Sequence, residues 1–248
     1  MPIMQQSVQS LLIEMTFQGI MLSTGTAFLM NYKDGTALIT NRHNLTGRHQ
    51  QTDQPLSAHG GVPDSISIWQ NSQNGLGHWH RETYPIYRPN GDPAWQEHPQ
   101  LGAQADIVAL PLTVNPLARV YPYSSGTPDV DILVTPGDTV SVIGFPFGLT
   151  GGGRFAIWAT GFLATELDID YDNRPVFLID CRSRPGQSGS PVVASRSGGM
   201  VPLTNGNKAV FGGPVSAFLG IYSGRINDQS DLGIVWKRTA IAELVASL

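Results

Sequence analysis

The chain has 248 residues, room for one large domain or two small ones sharing a core. Its 28 glycines and 18 prolines, set against only 14% charged residues, imply many turns and few solvated helices, and so a β-rich protein of short strands. A net charge of −4 excludes a general attraction to nucleic acid or anionic membrane, and one cysteine, Cys181, excludes an intrachain disulfide. No uncharged apolar run is long enough to span a bilayer. The first thirty residues contain no Lys or Arg, so they lack the basic start of a secretory signal. The expected location is the cytoplasm.

In chain order, strands are expected at Leu11–Phe17 and Gly25–Met30. A tight turn at Asp34-Gly35 then leads into Ala37–Thr40 and directly on to His43. Residues 47–66 are polar and turn-rich. Ser65–Trp69 alternates as a strand does. Residues 70–102 carry Trp79, Tyr84, Tyr87 and Trp95 without a period and read mostly as loop, and Ile107–Leu112 is a short apolar strand. The stretch 113–136, with Pro116, Pro122, Gly126, Pro128 and Pro136, reads as a connector between two β halves. Beyond it, strands are expected at Thr139–Gly144, Arg154–Ala164, Val176–Asp180, Pro191–Ala194, Phe218–Tyr222 and Gly233–Trp236. At the end, Trp236, Ala240, Ile241, Leu244, Val245 and Leu248 fall on one helical face, with Thr239 placed to cap it.

The segment richest in chemistry is Gly186-Gln187-Ser188-Gly189-Ser190-Pro191. A serine hydroxyl needs a positioned base and backbone N–H groups aimed at the developing oxyanion. Glycine on either side lets the chain turn sharply and approach a substrate carbonyl. By itself the segment reads equally well as an ordinary Gly/Ser loop. The histidines decide between the two. All six (His43, His49, His59, His78, His80 and His98) precede Ser188, which excludes the Ser–acid–His order of α/β-hydrolases. The subtilisin order needs an Asp before the His, and Asp34 is already accounted for by a turn. The order His–Asp–Ser remains. His43 follows a strand end. Asp106 opens the apolar strand Ile107–Leu112, whereas the competing Asp64 and Asp92 lead into none. The other five histidines lie in polar loops and are assigned to solvent. His78 and His80 lack a cysteine partner or a third ligand, so no metal is expected. No cofactor is expected.

These motifs resemble those of the trypsin-like peptidases, and among them the bacterial HtrA/Deg-like branch. The segments Gly25-Thr26-Ala27-Phe28 through Thr40-Asn41-Arg42-His43, Ala105-Asp106-Ile107-Val108-Ala109-Leu110 and Gly186–Pro191 carry the resemblance, as does Ile143-Gly144-Phe145-Pro146-Phe147-Gly148-Leu149. Together they span roughly residues 20–236. The resemblance implies two antiparallel six-stranded β-barrels with a cleft between them. Residues 1–115 would form the barrel carrying His43 and Asp106, 116–136 the connector, 137–236 the barrel carrying Ser188, and 237–248 a C-terminal helix. It implies a serine endopeptidase acting through an acyl-enzyme. His43 would be the general base and then acid, Asp106 its orienting partner and Ser188 the nucleophile, with an oxyanion hole at Gly186, Gln187 and Ser188. Gln187 stands where animal members have an Asp that pairs with a new N-terminus, so activation by such processing is not expected. No PDZ domain follows.

The same resemblance places the primary specificity pocket at Arg182 and Ser183, at Tyr222, Ser223 and Gly224, and at Gly233. Arg182 at the pocket base would favour an acidic side chain; an outward Arg182, or one paired with Asp180 or Asp231, would not. Gly151-Gly152-Gly153 lacks the Lys-Ser/Thr of a phosphate cradle and is expected to be a mobile loop beside the cleft. Cys181 is expected to be a small buried hydrophobe. The expected partner is a protein or peptide substrate. A regulatory protein that orders the loops, a catalytically idle binding module and a small-molecule esterase stay open as alternatives.

Overall fold

In residues 10–17, Leu11, Ile13 and Met15 recur at every second position, and all three are buried in one apolar cluster while Leu12 faces another. That period of two is what a pleated strand needs to feed two cores at once. A computed structural model describes residues 3–57, 60–124, 130–227 and 229–248, and the alternation runs through it. Gly126 and Pro128 of the connector, and His59, lie outside the described residues.

The first half comprises α1 (Gln6–Gln9), β1 (Ser10–Phe17), β2 (Ile20–Tyr32), β3 (Gly35–Thr40), α2 (Arg42–Thr46), β4 (Ser65–Ser72), β5 (Trp79–Pro85), β6 (Gln96–Glu97), β7 (Val108–Leu112) and β8 (Ala118–Arg119). The β2–β3 turn sits at Lys33 and Asp34, one residue earlier than Asp34-Gly35, because Gly35 already pairs with Tyr32. The second half comprises β9 (Thr139–Gly144), β10 (Ile157–Leu163), β11 (Val176–Asp180), β12 (Pro191–Arg196), β13 (Gly199–Pro202), β14 (Lys208–Phe211), β15 (Val215–Arg225), β16 (Leu232–Lys237) and the helix α3 (Arg238–Ala246).

The two halves close differently. β10-β11-β16-β15-β12-β9 form a closed six-stranded barrel. The first half is instead an eight-stranded antiparallel sheet, ordered β5-β4-β1-β2-β3-β7-β6 with β8 on β4, and among the described residues its path does not close. The expected closed six-stranded barrel of the first half is thus not shown among the described residues. Its two ends are the polar β5 and the two-residue β6, which is too short to carry a ladder. β5 falls in the stretch read as loop. Its half-buried and exposed residues alternate, but polar side chains occupy both faces, which hides the period. The short hairpin β13–β14 also went unread, because its apolar Met200 and Val210 are exposed and residue type does not mark its faces.

Three apolar clusters follow from the strand alternation. One lies inside the first sheet (Ile13, Leu29, Leu38, Leu110) and one inside the second barrel (Val142, Phe177, Val192, Val235). The third lies between the halves, where Phe28, Ile39, Ile107, Val193, Ile221 and Trp236 meet the α3 residues Ile241 and Leu244. The helix begins at Lys237 without a side-chain cap, and Thr239 is not the cap, so burial rather than capping holds it. Burying such a side chain stabilises by about 1.5–3 kcal/mol. Leu244 is 0% exposed. Leu244→Ala is expected to cost about 2–5 kcal/mol, read as a lowered midpoint in urea unfolding, because it empties the contact between the halves.

His98, assigned to solvent from its polar surroundings, is buried at 3% exposure. Its Nδ1 accepts the N–H groups of Gln100 and Leu101, each at 3.3 Å, so the ring proton sits on Nε2, 3.4 Å from Glu243 of α3. Burial holds its pKa below the usual 6.5, with Glu243 opposing. The unfolded chain therefore binds the extra proton more readily, and stability falls as pH drops through about 6.5 towards the lower folded value. Replacing His98 by Gln is expected to flatten that acid slope in thermal melts between pH 7 and 5.

Candidate active site

His43 sits on α2, a single helical turn. Asn41 before it is extended, and Gly47 closes the turn in the left-handed region with its N–H on the His43 carbonyl at 3.0 Å. The Asn41 side chain, fully buried, donates to the Asp106 carbonyl at 2.7 Å and so ties this turn to the entrance of β7. Asp106 is 2% exposed, and both its oxygens are occupied. Oδ1 accepts the His43 backbone N–H at 3.0 Å, and Oδ2 accepts His43 Nδ1–H at 2.7 Å together with the Ser223 hydroxyl. That contact assigns the proton to Nδ1 and leaves Nε2 facing the cleft with a free lone pair.

Ser188 lies in a turn built by its neighbours. Gln187 is fully buried. Its N–H goes to the Arg184 carbonyl at 3.2 Å, and its side-chain oxygen accepts the Arg184 N–H at 2.7 Å. Gln187 therefore frames the oxyanion loop and has no backbone donor left for a substrate. The N–H groups of Gly186 and Ser188 have no acceptor among the described residues. Gly186 (φ +91) and Gly189 (φ +88) both need glycine: a side chain would strike the Phe145 carbonyl at the first and the Thr26 carbonyl at the second. Across the cleft, Thr26 donates its N–H to the Ser188 carbonyl at 2.9 Å and its hydroxyl to the Gly186 carbonyl at 2.8 Å. Asn44 adds a bond to the Ser188 carbonyl at 3.2 Å. Thr26 and Asn44 escaped the sequence reading, which had no signal for them beyond the Gly25-Thr26 motif.

His43, Asp106 and Ser188 line one cleft of about 420 Å³ between the two halves. Among the described residues no hydrogen bond joins His43 to the Ser188 hydroxyl. Of the expected specificity residues, Ser223 and Gly224 line the cleft, as do Arg174 and Arg225, which were not foreseen. Arg182 is exposed and is not among the residues that line it, as in the outward alternative. Ser183, Tyr222 and Gly233 are buried behind the cleft wall. The Gly-rich loop is corrected. Gly153 lies against the Trp79 ring, Arg154 stacks 3.8 Å over Trp69, and no residue of 149–155 lines the cleft. Cys181 is buried at 2% exposure, and burial pushes its thiol up to about 11, which makes it a poor nucleophile. Among the described residues no three His, Cys, Asp or Glu side chains are grouped to hold a metal. Nor is any helix among them long and apolar enough to cross a membrane.

Antiparallel β units flanking a cleft that holds an imidazole, a buried carboxylate and a hydroxyl between glycines define a serine hydrolase on a chymotrypsin-like frame. A trypsin-like peptidase domain model matches residues 25–202. The chain belongs to that family and is a serine endopeptidase. In structure it is similar to a serine endoprotease from Yersinia pestis, with a TM-score of 0.53 at 17% identity over 100% of this chain and 68% of that one. It is also similar to the Rv3671c protease from M. tuberculosis in its active form, with a TM-score of 0.48 at 17% identity over 97% of this chain and 81% of that one. At 17% identity the likeness to the Yersinia protein is one of fold. A search of curated protein sequences finds no match.

Thr26→Val removes a hydroxyl that bridges the Gly186 carbonyl and the Phe145 N–H in a buried setting. The expected cost is about 1–3 kcal/mol, because both groups lose their partner. The measurement is a thermal melt, in which the variant should lose several degrees.

Proposed function

We propose that His43, Asp106 and Ser188 form the catalytic triad of this peptidase and that it cleaves peptide bonds through an acyl-enzyme. The observation that carries the reading is the Asp106 carboxylate held on His43 Nδ1 at 2.7 Å in the same cleft as Ser188. Nε2 of His43 takes the Ser188 proton as the hydroxyl oxygen attacks the scissile carbonyl. The N–H groups of Gly186 and Ser188 receive the developing oxyanion, which they can do because nothing else occupies them. The imidazolium then gives its proton to the leaving amine. A water activated by the same Nε2 releases the acid product and restores the Ser188 hydroxyl. Asp106 fixes the tautomer and stabilises the imidazolium, and Ser223 holds Asp106 in turn.

The open contact between His43 and Ser188 supports a second reading, in which a partner or the substrate itself tightens the site. Hydrogen bonds of this kind are often long until the complex forms.

Ser188→Ala is expected to abolish labelling by a fluorophosphonate probe and peptide cleavage together. Asp106→Asn should lower kcat by roughly 10⁴-fold with little change in KM, because it leaves His43 in the wrong tautomer. A folded wild-type chain that takes no label alone but takes it with peptide or partner present would select the gated reading. A Ser188→Ala chain that still cleaves would end both.

A further inference from the structure

The cleft wall beside Ser188 is made by two short backbone stretches, Pro185–Gly186 on one side and Ser223–Arg225 on the other. Tyr222, next to Ser223 on β15, packs in the apolar cluster inside the closed barrel. Its carbonyl accepts the Gly189 N–H at 2.9 Å and its N–H donates to the Ser190 carbonyl at 2.9 Å, so its backbone is tied to both residues that follow the nucleophile. On β15 the pairing with β16 slips between Tyr222 and Gly224; Ser223 there turns towards Asp106, while the Tyr222 side chain packs in the cluster inside the barrel. The ring covers Gly233, where any side chain would collide with it, and its hydroxyl is bonded to Ser183. Tyr222 and Ser183 are each 2% exposed. Gly233, Gly224 and Ser183 are all small, so the space they border would be a hollow open to the nucleophile if the ring were absent. With the ring in place, none of Ser183, Tyr222 and Gly233 reaches the cleft surface.

We propose that Tyr222, bridged to Ser183, is a specificity-determining residue that limits the residue on the acyl side of the scissile bond to a small side chain such as Ala, Ser or Gly. The inference rests on the triad reading above, since the oxyanion donors Gly186 and Ser188 set where that residue lies. A carbonyl oxygen on those two amides leaves its side chain facing the wall between Pro185 and Gly224, where the ring fills the space a large side chain would need. The hydroxyl does not have to ionise for this. Burial pushes it up to about 12, so it stays a neutral partner of Ser183 across the working range. Gly233 has the same explanation: it is glycine to admit the ring.

The test uses the full chain and a peptide series identical except for Ala, Val, Leu or Phe before the scissile bond, with fluorophosphonate labelling of Ser188 read in parallel. Wild type is expected to show kcat/KM at least about tenfold higher for Ala than for Leu or Phe, the scale on which a pocket discriminates by size. Tyr222→Ala should raise Leu and Phe turnover relative to Ala by about tenfold or more, whereas Tyr222→Phe, which keeps the ring, should retain the wild-type order. Tyr222→Val carries the same expectation as Tyr222→Ala and serves if the alanine variant does not fold. Wild type cleaving after Phe or Leu as fast as after Ala overturns the proposal, and so does a folded, labelled Tyr222→Ala or Tyr222→Val chain that keeps the wild-type order. A folded wild type that takes no label and cleaves nothing, with or without partner, strikes the triad reading itself.

Discussion

Thr26 is where the two halves of the molecule are held in register. From one residue of β2, an N–H and a hydroxyl reach the Ser188 and Gly186 carbonyls, the same hydroxyl receives the Phe145 N–H, and the carbonyl receives the Thr40 hydroxyl. Each such bond contributes only about 1 kcal/mol net, but leaving a buried group unpaired costs more, so the set acts as a geometric constraint. The Ser188 turn belongs to the second half and the His43 imidazole to the first. This seam of bonds, with those of Asn44 to the Ser188 carbonyl and Ser223 to Asp106, fixes the distance between them, which apolar packing, not being directional, does not. Gly189 shows how close the seam is, since the Thr26 carbonyl occupies the place a side chain would take.

Packing then supplies the rest of the rigidity. Each long strand sends alternate residues to its own half and to the shared core. Ile221 and Trp236 therefore bind the halves together, while Tyr222 and Val235, next to them, fill the closed barrel. The C-terminal helix lies over the shared core and contributes Ile241 and Leu244 to it. The helix also brings Glu243 to the buried His98, a polar link between chain segments far apart in sequence. The cleft lies at this junction, and polar groups from both halves border it.

Asp106 brings the two levels together. It is buried where the first sheet enters β7, and its carboxylate is satisfied by two donors from His43 and one from Ser223 of the other half. A buried carboxylate is costly unless its lone pairs are met. Meeting them from both sides orients the imidazole and joins the second barrel to the site. The proposed triad and the junction between the halves thus draw on the same side chains.

Much of this was legible in the amino-acid order. The Gly-flanked serine, the histidine after a strand end and the Asp before an apolar strand are local patterns, and their order along the chain excluded other hydrolase frames. The alternating strands and the apolar face of the last helix were legible because buried periodicity is written directly in residue type. What depended on neighbours distant in the chain was not. β5 carries polar residues on both faces, so only its pairing with β4 reveals it as a strand. His98 sits among polar residues, and only the arrival of α3 and its own loop buries it. Arg182 and Arg225 are both cations near the motifs, but Arg182, in the irregular stretch after β11, is exposed, whereas Arg225, at the end of β15, lines the cleft. The chain's own pattern determined a β-rich peptidase and its candidate triad. Tertiary structure alone decided how the strands of the two halves pair and that the Tyr222 ring packs inside the closed barrel, because side-chain direction and strand pairing are set by contacts no local stretch contains.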